Sequence, residues 1–240
     1  MAAPRTSKKK RTQKPVEVST QIKNKDLVER RRKQLIDEST KVFVEKGYHR
    51  TSIRDIAKAT SFSMGNLYDY IRTKEDILYL VHQNMINNVY HGLFDLQEDE
   101  FEIKSGELNT IIRNAVEKTF EFQDEIILLY RESGSLSKEM MRSILALETR
   151  YIDMFKRLLD EANEEGLYKI QDTRFLANLI VYLISFLSLR RWSLREYSKE
   201  RSIDLLMYYI TRMLRSEEKI SESQKKDRAK LNENKTPCAE

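Results

Sequence analysis

Residues 51–71, TSIRDIAKATSFSMGNLYDYI, place two short helical runs on either side of a three-residue break. Ser52 followed by Asp55 has the spacing of a capping box, and Ile53, Ile56 and Ala57 form an apolar stripe at i, i+3, i+4. Thr60–Ser61–Phe62 interrupts that stripe and predicts a tight turn. Ser63 is placed to cap a second helix whose buried side holds Leu67 and Ile71. The remaining positions of that helix are Ser63, Met64, Gly65, Asn66 and Tyr68, a face rich in small hydrogen-bonding and aromatic groups.

The flanks place the pair inside a helical bundle. Upstream, Val28, Leu35, Ile36, Ser39, Val42 and Phe43 share one helical stripe from about Lys25, and Gly47 predicts its end. Downstream, Thr73 with Asp76 marks a fourth helix through Ile77, Leu78, Leu80, Val81 and Met85. Longer helices are expected over about 106–131, 136–164, 172–191 and 198–215. Only 6 Gly and 3 Pro in 240 residues leave little punctuation, as in an all-helical protein. The single cysteine, Cys238, allows neither an internal disulfide nor a cysteine-based zinc site. The longest apolar run, residues 175–189, has 15 residues and falls short of the roughly 20 that span a bilayer. The basic N-terminus is followed by no apolar signal segment, so a cytoplasmic protein without membrane contact is expected.

Charge separates the chain's ends. Residues 1–80 carry 19 Lys/Arg against 10 Asp/Glu, and the remainder carries 24 against 28. A basic end of this kind is an electrostatic footprint for a polyanion. Two short helices about a tight turn form a helix-turn-helix, whose second helix enters the DNA major groove while the first crosses the backbone. Ser63, Met64, Gly65, Asn66 and Tyr68 suit that role, because Asn bonds adenine bidentately, Met touches a thymine methyl, and Gly lets the backbone approach. Tyr68 and Tyr70 carry hydroxyls for phosphate, and Thr51, Ser52 and Arg54 stand at the start of the first helix, where phosphate binds. Asp69 either accepts from a cytosine amino group or faces solvent.

The segment KVFVEKGYHRTSIRDIAKATSFSMGNLYDYIRTKEDIL resembles the DNA-binding domain of TetR-family transcriptional regulators. The matching positions are Phe43 and Gly47, Thr51–Ser52–Ile53, Ile56–Ala57, Ser63, Gly65, Leu67–Tyr68, Tyr70–Ile71 and Thr73–Lys74–Glu75 with Ile77. Phe62 and Thr60–Ser61 depart from the family's usual turn of small residues. The resemblance implies an all-α homodimer with residues 63–70 as the recognition helix and Lys74 as a phosphate contact. Composition and the resemblance together divide the chain into a disordered basic arm (1–22), a DNA-binding domain (23–72), a ligand-binding and dimerisation domain (73–215) and a charged tail (216–240). Lys8, Lys9, Lys10 and Arg11 of the arm either enter a minor groove or only solubilise the chain.

The helical run at 175–189 is hydrophobic all round and needs cover on every side, within a helix expected over 172–191. In the family the last two long helices form the dimer's four-helix bundle, which assigns Leu176, Leu179, Ile180, Leu183, Leu187, Leu206, Tyr209 and Met213 to the interface. The resemblance also implies an effector pocket, with Met85, Tyr130, Met141, Tyr151, Phe155 and Phe186 as lining candidates. Arg131, Arg150, Arg190, Arg191 and Trp192 are candidates for an anionic group. The stretches LLYRESGSLSKEMM and ALETRYIDMFKRLLDEANEEGLY look similar to members that sense acyl-CoA, with a hydrophobic drug or aromatic acid as the alternative effector. The expected partners are palindromic double-stranded DNA, a second copy of the chain and that effector, with no cofactor and no metal. His49, His82 and His91 lack the spacing of metal ligands, and no hydrolase or nucleotide signature appears, so no enzyme is expected. The alternative is a ligand-independent, protein-recruiting or architectural member of the same fold.

Overall fold

The computed structural model describes residues 16–20, 22–91 and 107–215. These residues are entirely helical apart from their connections. The helices are α1 (Lys25–Lys46), α2 (Ile53–Thr60), α3 (Met64–Tyr68), α4 (Lys74–His91), α5 (Leu108–Thr119), α6 (Gln123–Glu132), α7 (Lys138–Glu164), α8 (Thr173–Leu189) and α9 (Lys199–Arg215).

The short helices owe their ends to side chains. Asn24 caps α1 by accepting from the Leu27 amide at 3.1 Å, and Gly47, at φ +85°, closes it by donating to the Phe43 carbonyl. The Ser52/Asp55 capping box is present, reinforced by the Lys46–Asp55 ion pair at 2.7 Å. Donors from Lys46 and Ser52 hold the Asp55 carboxyl far below the usual carboxylate range. At the far end of α2, Ser61 adopts the left-handed conformation at φ +57°. Phe62 N–H bonds the Ala57 carbonyl and Ser61 N–H the Lys58 carbonyl, a Schellman closure that glycine usually serves. The Ser63 hydroxyl then caps α3 at Asn66, and the Asp76 carboxylate receives the Arg72 and Thr73 amides at the start of α4.

Packing divides the described residues into two compact units. One holds α1–α4, α6 and α7 as far as Tyr151; the other holds α5 as far as Glu117, the rest of α7, α8 and α9. The first unit's core joins Leu35, Ile36 and Phe43 of α1 to Ile56, Leu67, Tyr70 and Ile71 and to Ile77, Leu78 and Val81 of α4. This division by packing crosses the functional division expected at residue 72.

Two expectations are corrected. The helix expected over 106–131 is two helices, broken by a 3-10 turn at Phe120–Phe122 where Phe122 leaves helical geometry at ψ 28°. No glycine or proline marks that break, so propensity alone does not reveal it. Residues 16–20, expected within a disordered arm, are packed: Val18 is buried and joins the first unit's core. The arm's Lys8–Arg11 and the tail from residue 216 lie outside the described residues.

Candidate DNA-reading face and effector region

The turn between α2 and α3 holds its geometry through α1. The Gln34 amide donates to the Thr60 carbonyl at 3.0 Å, and the Arg31 guanidinium lies 5.2 Å from the Phe62 ring. Phe62 in turn packs on Tyr70, with centroids 6.0 Å apart. Leu67 is fully buried beneath α3. With Leu67 pinned, Ser63, Met64, Gly65 and Tyr68 stand exposed on the opposite side, Tyr68 at 49%, while Asn66 is half-buried. A Cβ added at Gly65 would meet nothing within 4 Å, so the protein itself does not require glycine there. Arg54 is exposed on α2, and the exposed cations Arg50, Lys58 and Arg72 extend the basic surface. The sequence pattern did not single out Arg50 and Arg72. Their one signal is their place at the two ends of the motif.

Three expected contacts are revised by what the side chains already do. Tyr70 is 1% exposed, so its ring packs the core and does not stand on the exposed face with Tyr68. Thr51 is buried and its hydroxyl donates to the Gly47 carbonyl at 2.9 Å. The Ser52 hydroxyl donates to Asp55 at 2.6 Å. Lys74 has a double role. Its ammonium donates to the Tyr48 and Thr51 carbonyls at 2.8 and 2.9 Å and sits 4.4 Å from the Tyr48 ring. An ammonium has three N–H donors, so one is left for a phosphate. Burial lowers the Lys74 pKa, and burial together with Glu75 and Glu132 pushes the Tyr48 phenol up to about 12.

Known proteins are similar to this chain over the same residues. Residues 35–79 match the profile described as bacterial regulatory proteins, tetR family, and residues 105–192 match the tetracyclin repressor-like C-terminal domain. The chain belongs to the TetR family. The HTH-type transcriptional regulator HbdR of Aromatoleum sp. (strain CIB) is 27% identical over 207 residues, covering 81% of this chain and 87% of that protein. The TetR-family regulator PfmR of Thermus thermophilus superposes with TM-score 0.64 at 22% identity, over 75% of this chain and 96% of that one. AibR, solved with isovaleryl coenzyme A and operator DNA, superposes with TM-score 0.57 at 17% identity, over 77% of this chain and 97% of that one. At these identities the structural likeness establishes the fold. TetR-family members are DNA-binding transcriptional regulators and not enzymes.

In this TetR-family chain the expected effector residues are spread over both units. Met85 and Tyr151 of the first unit and Phe155 of the second are core residues, while Met141 and Phe186 are half-buried. Tyr130, Arg131, Arg150, Arg190, Arg191 and Trp192 face solvent, and the Arg190 guanidinium lies 5.2 Å from the Trp192 ring. His82 on α4, which no spacing rule selects, is fully buried, and neither ring nitrogen has a hydrogen-bond partner among the described residues. Burial pushes its pKa down to about 4, which keeps the imidazole neutral. No helix among the described residues is long and apolar enough to cross a membrane.

The expected interface also divides. Leu176, Ile180, Leu187 and Leu206 are buried within their own protomer and are corrected to core positions. Leu179, Leu183 and Met213 are half-buried, and Tyr209 is exposed. The uncovered stripe of α8 instead runs through Phe175 and Tyr182, at 70% and 52% exposure. Beyond the first turn of α8 the only exposed polar residue on that stripe is Asn178, too little for a sequence to tell the helix's self-covered side from its free side.

Proposed function

We propose that this chain is a repressor that binds a roughly palindromic operator as a homodimer and leaves it when an anionic, hydrophobic effector such as an acyl-CoA binds. The observation that carries the reading is the exposed face of α3. Ser63, Met64 and Tyr68 surround a glycine with open space above its Cα, and Leu67 fixes the helix from below. That face admits the backbone to a groove about 12 Å wide, and its side chains contact base edges and phosphate. Exposed Arg50, Arg54, Lys58 and Arg72, with the remaining donor of Lys74, supply the sequence-independent part of the affinity.

The homodimer reading rests on the Phe175–Tyr182 stripe of α8 and on Tyr209 of α9, large apolar groups left uncovered in one protomer. Two-fold symmetry of the heads makes the operator palindromic. The acyl-CoA reading draws on AibR, which holds isovaleryl coenzyme A on the same fold, and on the arginine-rich loop after α8. The effector acts only as far as its affinity differs between the operator-bound and released conformations.

The experiment selects duplexes from a random pool with the purified chain, then titrates the selected complex with isovaleryl-CoA, longer acyl-CoAs, free fatty acids and benzoate. A palindrome released by an acyl-CoA supports the whole reading. A palindrome that nothing in the panel releases leaves the DNA-reading part standing and favours the ligand-independent, recruiting alternative. No enriched sequence refutes both.

A further inference from the structure

Residues 16–20, upstream of α1, do more than lead into it. The Val16 amide donates to the Ser143 hydroxyl of α7 at 3.1 Å, and the Val16 carbonyl accepts from the Tyr79 hydroxyl of α4 at 3.0 Å. The Tyr79 and Ser143 oxygens are 2.9 Å apart, which closes the three groups into one hydrogen-bonded ring. Val18 is buried, and its carbonyl accepts from the Arg32 guanidinium of α1. The Thr20 hydroxyl donates to the Asp69 carbonyl at 2.8 Å and also accepts from the Ile22 amide at 3.2 Å. Asp69 is the C-cap of α3, directly after Tyr68.

A helix of five residues has almost no stiffness of its own. Its pose comes from outside ties: the Ser63 cap, Leu67 in the core, the Phe62–Tyr70 contact and the Thr20 bond at its last carbonyl. Of these, Thr20 alone belongs to a segment that is also fastened to α7. Each fastening uses a side-chain hydroxyl or guanidinium on a backbone group, so the strap depends on Thr20, Arg32, Tyr79 and Ser143 and not on backbone pairing alone.

We propose that residues 16–20 form a strap that positions the reading helix from α7, making Thr20 a positioning residue for operator recognition and Ser143 its distant anchor. A shift of α7 against α4 breaks or moves the ring at Val16, and the strap passes that change to the C-terminal end of α3. The proposal rests on α3 as the reading helix. It adds that sequence discrimination depends on residues which themselves contact no base.

The test uses the full chain, the duplex it selects from a random pool, and an unrelated duplex of equal length at one salt concentration. Thr20→Val lowers affinity for the selected duplex by about 3- to 10-fold, the factor that one lost hydrogen bond is worth. Affinity for the unrelated duplex stays near wild type, the Tm falls by no more than about 4 °C, and Thr20→Ser restores discrimination. Ser143→Ala, on a helix that carries no reading residue, shows the same selective loss. The double variant Thr20→Val/Ser143→Ala is no worse than the weaker single, because both break one connection. Unchanged discrimination in Thr20→Val, equal loss on both duplexes, or additive losses in the double variant each overturn the strap. A wild-type chain that selects no sequence overturns the reading of α3 itself, and the strap with it.

Discussion

Gly65→Ala separates a demand of the fold from a demand of DNA. Gly65 lies in α3, and a Cβ there would meet nothing within 4 Å. The fold therefore gains from alanine: an exposed helical Gly→Ala change stabilises by about 0.5–1 kcal/mol through lower backbone entropy in the unfolded chain. For a chain of this size that is a Tm rise of roughly 1–4 °C. Operator binding moves the other way. The methyl group stands where the helix backbone approaches the groove floor, and it pushes Ser63, Met64, Asn66 and Tyr68 off their contacts. One displaced base contact costs about 1–3 kcal/mol. In the proposed homodimer two heads double this to about 2–6 kcal/mol, a loss of roughly 30-fold or more. Fluorescence anisotropy on the selected duplex, with calorimetric melting alongside, reads both effects. Undiminished operator affinity in a variant that melts at or above the wild-type temperature would refute the docking of α3 argued above.

Four further outcomes follow from particular residues. Ser61→Gly relieves the left-handed conformation that closes α2 and raises unfolding stability by about 1 kcal/mol in urea; no gain would mean the Ser61 side chain compensates its strain. Lys74→Ala removes a donor from the Tyr48 and Thr51 carbonyls, lowers stability by about 1–3 kcal/mol and reduces the salt slope of binding by about 2, one phosphate per head, and an unaltered slope removes the phosphate contact. His82 has its folded pKa depressed to about 4 from 6.5, so the unfolded chain takes up a proton between those values while the folded chain does not. Its contribution is complete above pH 6.5 and is lost as pH falls toward 4, at up to about 1.4 kcal/mol per pH unit, a slope that His82→Gln removes in urea titrations at several pH values. Tyr182→Glu puts a charge on the uncovered stripe of α8 and halves the mass seen by sedimentation, whereas an intact dimer moves the interface elsewhere.

Much of the reading head is legible in the sequence because its signals are local. A capping box is four consecutive residues, and Ser52 with Asp55 closes one in the structure as its spacing predicts. Ser63 caps α3, Thr73 with Asp76 starts α4, and Gly47 ends α1 for the same reason: each bond joins neighbours in the chain. The 3.6-residue period also places Leu35, Phe43, Ile56 and Leu67 in the core.

Facing and long-range ties are another matter. Tyr68 and Tyr70 are two residues apart and chemically identical, yet one is exposed and the other buried against Phe62, because α3 ends between them and the chain turns. Thr20 and Asp69 are 49 residues apart, and Val16 and Ser143 are 127 apart, so no local pattern announces the strap. The break at Phe120–Phe122 has no breaker residue, and the inward Leu176 and Ile180 share an apolar helix with the outward Phe175 and Tyr182. Periodicity and capping determine where helices lie and which residues open the motif. Which apolar side meets the chain itself, which meets a second copy, and what holds a five-residue helix at its working angle are settled only when distant segments compete for the same surface.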